Sequence, residues 1–384
     1  MKMEFVFWIA VLAILYSYLI YPVLCFIFAK FFGTETSVSA LNDEQLPAVS
    51  VVIAAYNEEH CIAERVENLL NQDYPLQKLH IFIGSDGSID ATNAILETLE
   101  HPCLNISLFS PNRGKASTLN DLLTQVETEI VVFSDANTQF EANAIRELVA
   151  GFSDPSVGAV CGELELYNLG TNANKDNLYW RYEQFIKYQE SKLDALLGAN
   201  GAIYAIRQEL YTPISANTIV DDFQIVMNIA RQGRKVVYHR GAKAREEVAP
   251  SAQDEGKRRI RIGAGNYQAF SNLFWLLNPK QGWRCFAYFS HKVLRWFTPH
   301  LMVLALVSNF LLATETFYFG FLLLQVTIYG LGIWGIKKID QGQTTPWFIT
   351  FIAFFLRLNT ALMQGFVLFS RRNLTGTWQR TSRS

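Results

Sequence analysis

The stretch AVSVVIAAYNEEHCIAERVENLL, residues 48–70, joins two patterns through a polar loop. Residues 49–53 form an almost unbroken β-branched run, as expected of a strand buried on both faces. After the loop, Ile62, Val66, Leu69 and Leu70 recur at helical spacing. The unit repeats downstream: strand LHIFIGSDGSID with a helix from about 90 to 100, strand NISLFS with helix KASTLNDLLTQV, strand EIVVFSDAN with helix EANAIRELVAGF. Alternation of this kind predicts an α/β domain whose parallel sheet carries helices on both faces.

Ligands of such sheets bind beyond the carboxyl ends of the strands. Three of those ends are polar: AYNEE at 55–59, SDGSID at 85–90 and SDAN at 134–137. One such cluster is explained by helix capping, since Ser, Asp and Asn are favoured N-caps. Three on one edge converge on a single crevice. The first strand runs into its loop with no glycine, so the GxGxxG dinucleotide fingerprint is absent, and no GxxxxGK[ST] phosphate loop occurs anywhere. A nicotinamide oxidoreductase and a P-loop ATPase are both disfavoured.

The 384 residues are half hydrophobic, with a mean hydropathy of +0.11. That is too apolar for an ordinary soluble enzyme and too charged for a chain lying wholly in lipid. The apolar mass sits at the ends. Phe5 to Ala29 holds no charge and reads as a membrane anchor at 1–33. Further apolar runs at 301–314, 316–336 and 346–370 predict C-terminal membrane segments within 298–370, the last with Arg357 in its middle, where a charge must face protein or water. Residues 34–46 read as a linker and 371–384 as a basic tail. Between 266 and 297, Trp and Tyr interleave with Arg and Lys at helical spacing, as in interfacial amphipathic helices. Lys30, Lys337 and Lys338 suit a central domain on the cytoplasmic side, whereas four arginines in the tail oppose that arrangement if all segments cross. The five scattered cysteines show no disulfide or zinc pattern, and the net charge of -2 gives no sign of nucleic-acid binding.

The ordered set VSVVIAAYNEE, SDGSIDAT, NRGKASTLN, FSDANTQF, GANGAIYAIR and VDDFQIVMNIARQGRKVVY resembles the family 2 inverting glycosyltransferases, in particular their membrane-bound branch of cellulose, hyaluronan, chitin and exopolysaccharide synthases. The resemblance covers about 47–270. It implies a GT-A nucleotide-diphospho-sugar transferase domain at 47–265, mostly parallel and Rossmann-like. One N-terminal and about three C-terminal transmembrane helices plus interfacial helices would accompany it.

By the same resemblance, Tyr56, Glu58 and Asp86 belong to the nucleoside pocket, although Ser85 stands where relatives often have a first Asp. Lys115 corresponds to the loop cation near the donor. Asp135 and Asn137 occupy the DxD position, where a carboxylate and an amide oxygen suit Mg2+ or Mn2+ completed by phosphates and water. Asp221 and Asp222 align with the family's TED motif, which makes Asp222 the base that deprotonates the acceptor hydroxyl. Two acids opening a helix also fit its dipole. Asn200 and Gly201 are expected at the acceptor site, in a loop followed by a helix that presents the acceptor. KRRIRIGAG stands in for QxxRW, with Arg258 at the Gln position, Arg261 serving the leaving phosphates and Ile262 replacing Trp. A basic run beside a membrane equally suits lipid head groups.

The implied activity is metal-dependent transfer of a sugar from a nucleotide-diphosphate donor, UDP being the expected nucleotide, to a growing polysaccharide or lipid-linked glycan. The site of action would be the inner (plasma) membrane, with the catalytic domain cytoplasmic. The implied partners are the sugar donor, a glycan or lipid-linked acceptor, membrane lipids, and export partners or an oligomer. Two rivals stay open: transfer of one sugar to a lipid, as in ceramide glucosyltransferase, and a non-catalytic nucleotide-sugar-binding subunit.

Overall fold

The structure, a computed structural model, describes residues 2–35, 41–167, 174–247, 252–371 and 376–377. The chain divides into an α/β unit of residues 25–250, 280–285 and 375–384 and a helical unit of residues 1–24, 251–279 and 286–374.

The α/β unit is built on one eight-stranded mixed sheet, ordered β3-β2-β1-β4-β7-β6-β8-β5. Its strands are β1 Val49–Ala55, β2 Leu79–Asp86, β3 Leu104–Phe109, β4 Ile130–Asp135, β5 Thr138–Phe140, β6 Val157–Tyr167, β7 Tyr204–Arg207 and β8 Lys235–Glu247. The first four pair in parallel, as the alternation predicts. Every residue of β1 is buried, because helices cover the sheet there and the β-branched run supplies both faces; each such side chain contributes roughly 1.5–3 kcal/mol. In register, Ala54 lies opposite Asp135 and Ala55 opposite Ser85. The three polar clusters therefore leave the sheet at one edge.

The other half of the sheet departs from the expected pattern. β7 runs antiparallel to β4, with Phe133 opposite Tyr204, and the two rings stack at 4.6 Å. Residues 204–207 are thus a strand where a helix was expected after the 198–203 loop. An antiparallel strand entering beside β4 begins at that strand's carboxyl end, so the loop before it is delivered to the same edge. β6 and β8 pair in parallel with register shifts near Val157 and Gly162.

The helices Lys2–Phe32, Thr316–Asp340 and Trp347–Ser370 are long and apolar enough to cross a membrane. They match the runs at 5–29, 316–336 and 346–370. The run at 301–314 has a different form: Trp283–Trp296 and Thr298–Leu312 are a pair bent by 62°, with Pro299 at the start of the second helix. Arg357 pairs with Asp340 at the end of the preceding helix, so its charge faces protein. Helix Ala252–Asn272 runs past residue 265 and packs backbone to backbone on Trp347–Ser370: a Cβ at Gly365 would fall 2.6 Å from the Ala264 nitrogen. Small residues permit such approach between helices.

Candidate active site

The site grows from the β2 and β4 tips. Asp86, fully buried at the end of β2, accepts the Arg113 N–H at Oδ1 (3.0 Å) and the Gly114 N–H at Oδ2 (2.7 Å). Both oxygens of this residue, expected in the nucleoside pocket, hold the NRGK loop, because two backbone donors point into the β2 tip and require an acceptor. Gly87, with φ +71°, lets the turn approach that loop, since a Cβ would lie 2.6 Å from the Asn112 nitrogen.

The loop presents Lys115 at the start of helix Lys115–Leu123. Its ammonium lies 2.7 Å from Asp135 Oδ1 and 3.3 Å from Asp221 Oδ2. Burial alone would lower its pKa, yet Asp135 and Asp221 hold it above the ordinary lysine value. The structure thus brings together Lys115, Asp135 and Asp221, three residues far apart in the chain.

Asp221 and Asp222 open helix Asp221–Arg231. Burial, reinforced by Asp221, pushes the Asp222 carboxyl up to about 6, while Lys115, the Phe223 N–H and Lys187 act the other way. A partly buried carboxylate with that value is ionised at neutral pH and basic enough to take a proton. Gly201 faces it: a Cβ there would sit 3.5 Å from Asp222 Oδ2.

Asn200 was expected to face the acceptor. It is 5% exposed. Its amide nitrogen donates to the Gly162 carbonyl at 2.7 Å and its oxygen accepts from Lys187 at 2.5 Å. Those bonds commit it to shaping the Gly201 turn, because a buried amide must be satisfied.

Tyr56 and Glu58, both half-buried, leave β1 at the same edge. Asn57 N–H donates to Ser88 Oγ, Ile89 N–H to Asn57 Oδ1 and Glu58 N–H to Thr92 Oγ1, which ties the β1 and β2 loops together. Ser85 is buried and bonded to Ser88 and Asn93.

Among the described residues no group of three or more His, Cys, Asp and Glu side chains is arranged to hold a metal. A cation at the β4 tip would have the Asp135 carboxylate and the Asn137 amide, whose buried nitrogen lacks a hydrogen-bond partner. That oxygen donor set fits a hard divalent ion whose remaining ligands come from phosphates and water.

Arg258 and Arg261 lie on helix Ala252–Asn272 of the helical unit, where Arg258 is 3.7 Å from Glu255. Sequence reasoning missed Lys187, Asn68 and Arg65. Arg65 had a visible signal: it stands three residues after Ile62 and four before Leu69, on the core face of its helix.

Residues 50–211 match the model of the family described as Glycosyl transferase family 2. The chain is 26% identical over 319 residues to a beta-monoglucosyldiacylglycerol synthase of Synechocystis, covering 78% of this chain and 66% of that relative. It is 24% identical over 239 residues to the poly-beta-1,6-N-acetyl-D-glucosamine synthase of Staphylococcus epidermidis, covering 60% and 58% respectively. The matched stretch is thus less than two thirds of either relative. Among solved structures, a mannosyltransferase from Pyrobaculum calidifontis, in complex with GDP-Man and Mn2+, superposes with a TM-score of 0.72 over 95% of this chain and 99% of that one, at 22% identity. That likeness is one of fold, the GT-A fold.

Proposed function

We propose, from the match of residues 50–211 to the family 2 glycosyltransferase model, that the chain transfers a sugar, with inversion, from a nucleotide-diphosphate donor to an acceptor held at a membrane. The observation that carries this reading is the Lys115 ammonium lying between Asp135 and Asp221, with Asp222 adjoining. A cation for the diphosphate and a base for the acceptor are thereby neighbours.

In the proposed reaction Asp222 takes the proton of an acceptor hydroxyl. That oxygen bonds to the anomeric carbon from the face opposite the nucleotide. The bond from that carbon to the phosphate oxygen breaks, and the nucleoside diphosphate leaves. Lys115 neutralises the departing diphosphate, and a divalent cation held by Asp135 and Asn137 would supply further charge neutralisation there. Arg261, with Arg258, is assigned to the same phosphates by its motif position alone. Tyr56 and Glu58 are assigned to the nucleoside, which we take to be uridine.

Two acceptors are distinguished by specific relatives. The synthase of poly-beta-1,6-N-acetyl-D-glucosamine supports a growing polysaccharide, and the glucosyldiacylglycerol synthase supports a single transfer to a lipid. Incubating purified protein and Mn2+ with UDP-glucose, UDP-galactose, UDP-N-acetylglucosamine, UDP-glucuronate or GDP-mannose, then sizing the product, separates them. If no nucleotide is released from any donor and Asp222→Asn changes nothing, the non-catalytic reading replaces this one.

The proposed setting is a cell membrane with the catalytic unit cytoplasmic. Arg284 belongs to the α/β unit, bonded to Asp194 and to the Ala230 and Arg234 carbonyls. Gly376 belongs to it too: a Cβ on Gly114 would lie 2.3 Å from the Gly376 oxygen. A chain that leaves that unit after Arg284 and returns by Gly376 crosses a membrane an even number of times between them. Helices Thr316–Asp340 and Trp347–Ser370 account for two crossings, so we read the bent pair as re-entrant or interfacial. This puts Arg371 on the catalytic side and Lys337 and Lys338 opposite, reversing the expectation for those two lysines.

A further inference from the structure

We infer that Arg65 is a positioning residue for the cation site, a fixed buried charge behind Asp135 that keeps the site from holding a divalent ion until a nucleotide diphosphate completes it. The inference rests on the assignment of that ion to Asp135 and Asn137.

Arg65 is fully buried, with 0% exposure. Its Nη2 donates to Ser134 Oγ at 2.9 Å and its Nη1 to Asn68 Oδ1 at 2.5 Å. The guanidinium carbon stands 4.2 Å from the Phe140 ring centroid, and Nε has no hydrogen-bond partner. Among the described residues no carboxylate lies within ion-pair distance of it. Burial lowers its pKa to about 9 while the field of Asp135 acts the other way, so it stays charged at neutral pH.

An unpaired buried cation is costly, and a methionine would fill similar volume without that cost. Its contacts indicate what the charge does. Ser134, which accepts from Arg65 and donates to the Ala202 carbonyl at 2.9 Å, is the residue immediately before Asp135. Asn68, the other Arg65 partner, brackets Phe140, accepting its N–H at 2.9 Å and donating to its carbonyl at 3.0 Å. Both ends of the turn that presents Asp135 and Asn137 are therefore tied to one element, helix Ile62–Leu70. Lys115 is shared between Asp135 and Asp221, and the field of Arg65 also falls on Asp135. The added positive charge of Arg65 weakens the hold of Asp135 on a free divalent ion, and the negative diphosphate reverses that effect.

The test is Mn2+ binding by full-length protein in detergent, followed by the paramagnetic resonance of free Mn2+, with and without UDP. Wild type should bind Mn2+ weakly alone and much more tightly with UDP. Arg65→Met should tighten binding of Mn2+ alone by about fivefold or more. Arg65→Gln replaces the methionine variant if the latter does not fold. Unchanged binding of Mn2+ alone in folded Arg65→Met or Arg65→Gln, with UDP-dependent binding intact, overturns the inference. Absence of Mn2+ binding to wild type even with UDP overturns the metal assignment itself.

Discussion

The Lys115 ammonium bridges two acids, 2.7 Å from Asp135 and 3.3 Å from Asp221. One carboxylate comes from a strand tip and the other from a helix start, so a single cation locks the two halves of the site together. Removing it as Lys115→Met should lower kcat/KM for the sugar donor by about 100-fold or more, the scale of losing one preorganised charge at a developing oxyanion. Steady-state nucleotide release measures this, and a loss under about threefold would remove Lys115 from the mechanism.

The raised carboxyl of Asp222 sets a pH dependence. With its folded value near 6, kcat/KM should fall about tenfold per unit below that pH, because only the ionised form accepts the proton. Asp222→Asn should abolish transfer at every pH.

The same shift has a consequence for stability. The folded state binds the Asp222 proton more tightly than the unfolded chain does, so this group's contribution declines as pH rises from about 4 to about 6. Discounted for partial exposure, Asp222→Asn should stabilise the protein by about 1–2 kcal/mol at pH 7.5 and by almost nothing at pH 4. Thermal melts at the two pH values check it; equal shifts at both would contradict the assigned burial.

Asp135 and Asn137 should respond in opposite senses. Asn137→Asp adds a second carboxylate and should tighten Mn2+ binding about tenfold or more, whereas Asp135→Asn should abolish transfer. Calorimetric titration of Mn2+ in the presence of UDP reads the first, and radiolabelled sugar transfer the second. Full activity in Asp135→Asn would move the metal elsewhere.

The proposed topology makes a labelling prediction. With the native cysteines replaced, Thr377→Cys should react with a membrane-impermeant maleimide only from the side of the catalytic unit, and Gln343→Cys only from the opposite side. Reversal of both patterns would make the bent pair a true crossing, and labelling of both from one side would mean that helix Trp347–Ser370 does not span.

What could be read from the residues is local and periodic. The β-branched run at 49–53, the helical spacing after it and its repeats identify the parallel strands β1 to β4, since burial on both faces forces continuous apolar residues. The same reading put Asp86, Asp135 and the AYNEE loop on one edge, because a parallel sheet has only one carboxyl edge. Length and hydropathy likewise located the long apolar helices. The antiparallel entry of β7 was not legible, because strand direction depends on neighbours distant in the chain rather than on side-chain period. For the same reason only the tertiary structure decided what the charged groups touch. It gave Asp86 to the backbone of the Lys115 loop and Asn200 to Lys187 and Gly162, paired Lys115 with two acids at once, and buried Arg65 behind Asp135. A sequence states which charges a chain carries; which of them share a low-dielectric site, and so which control one another, is fixed only when the fold brings them within a few ångströms.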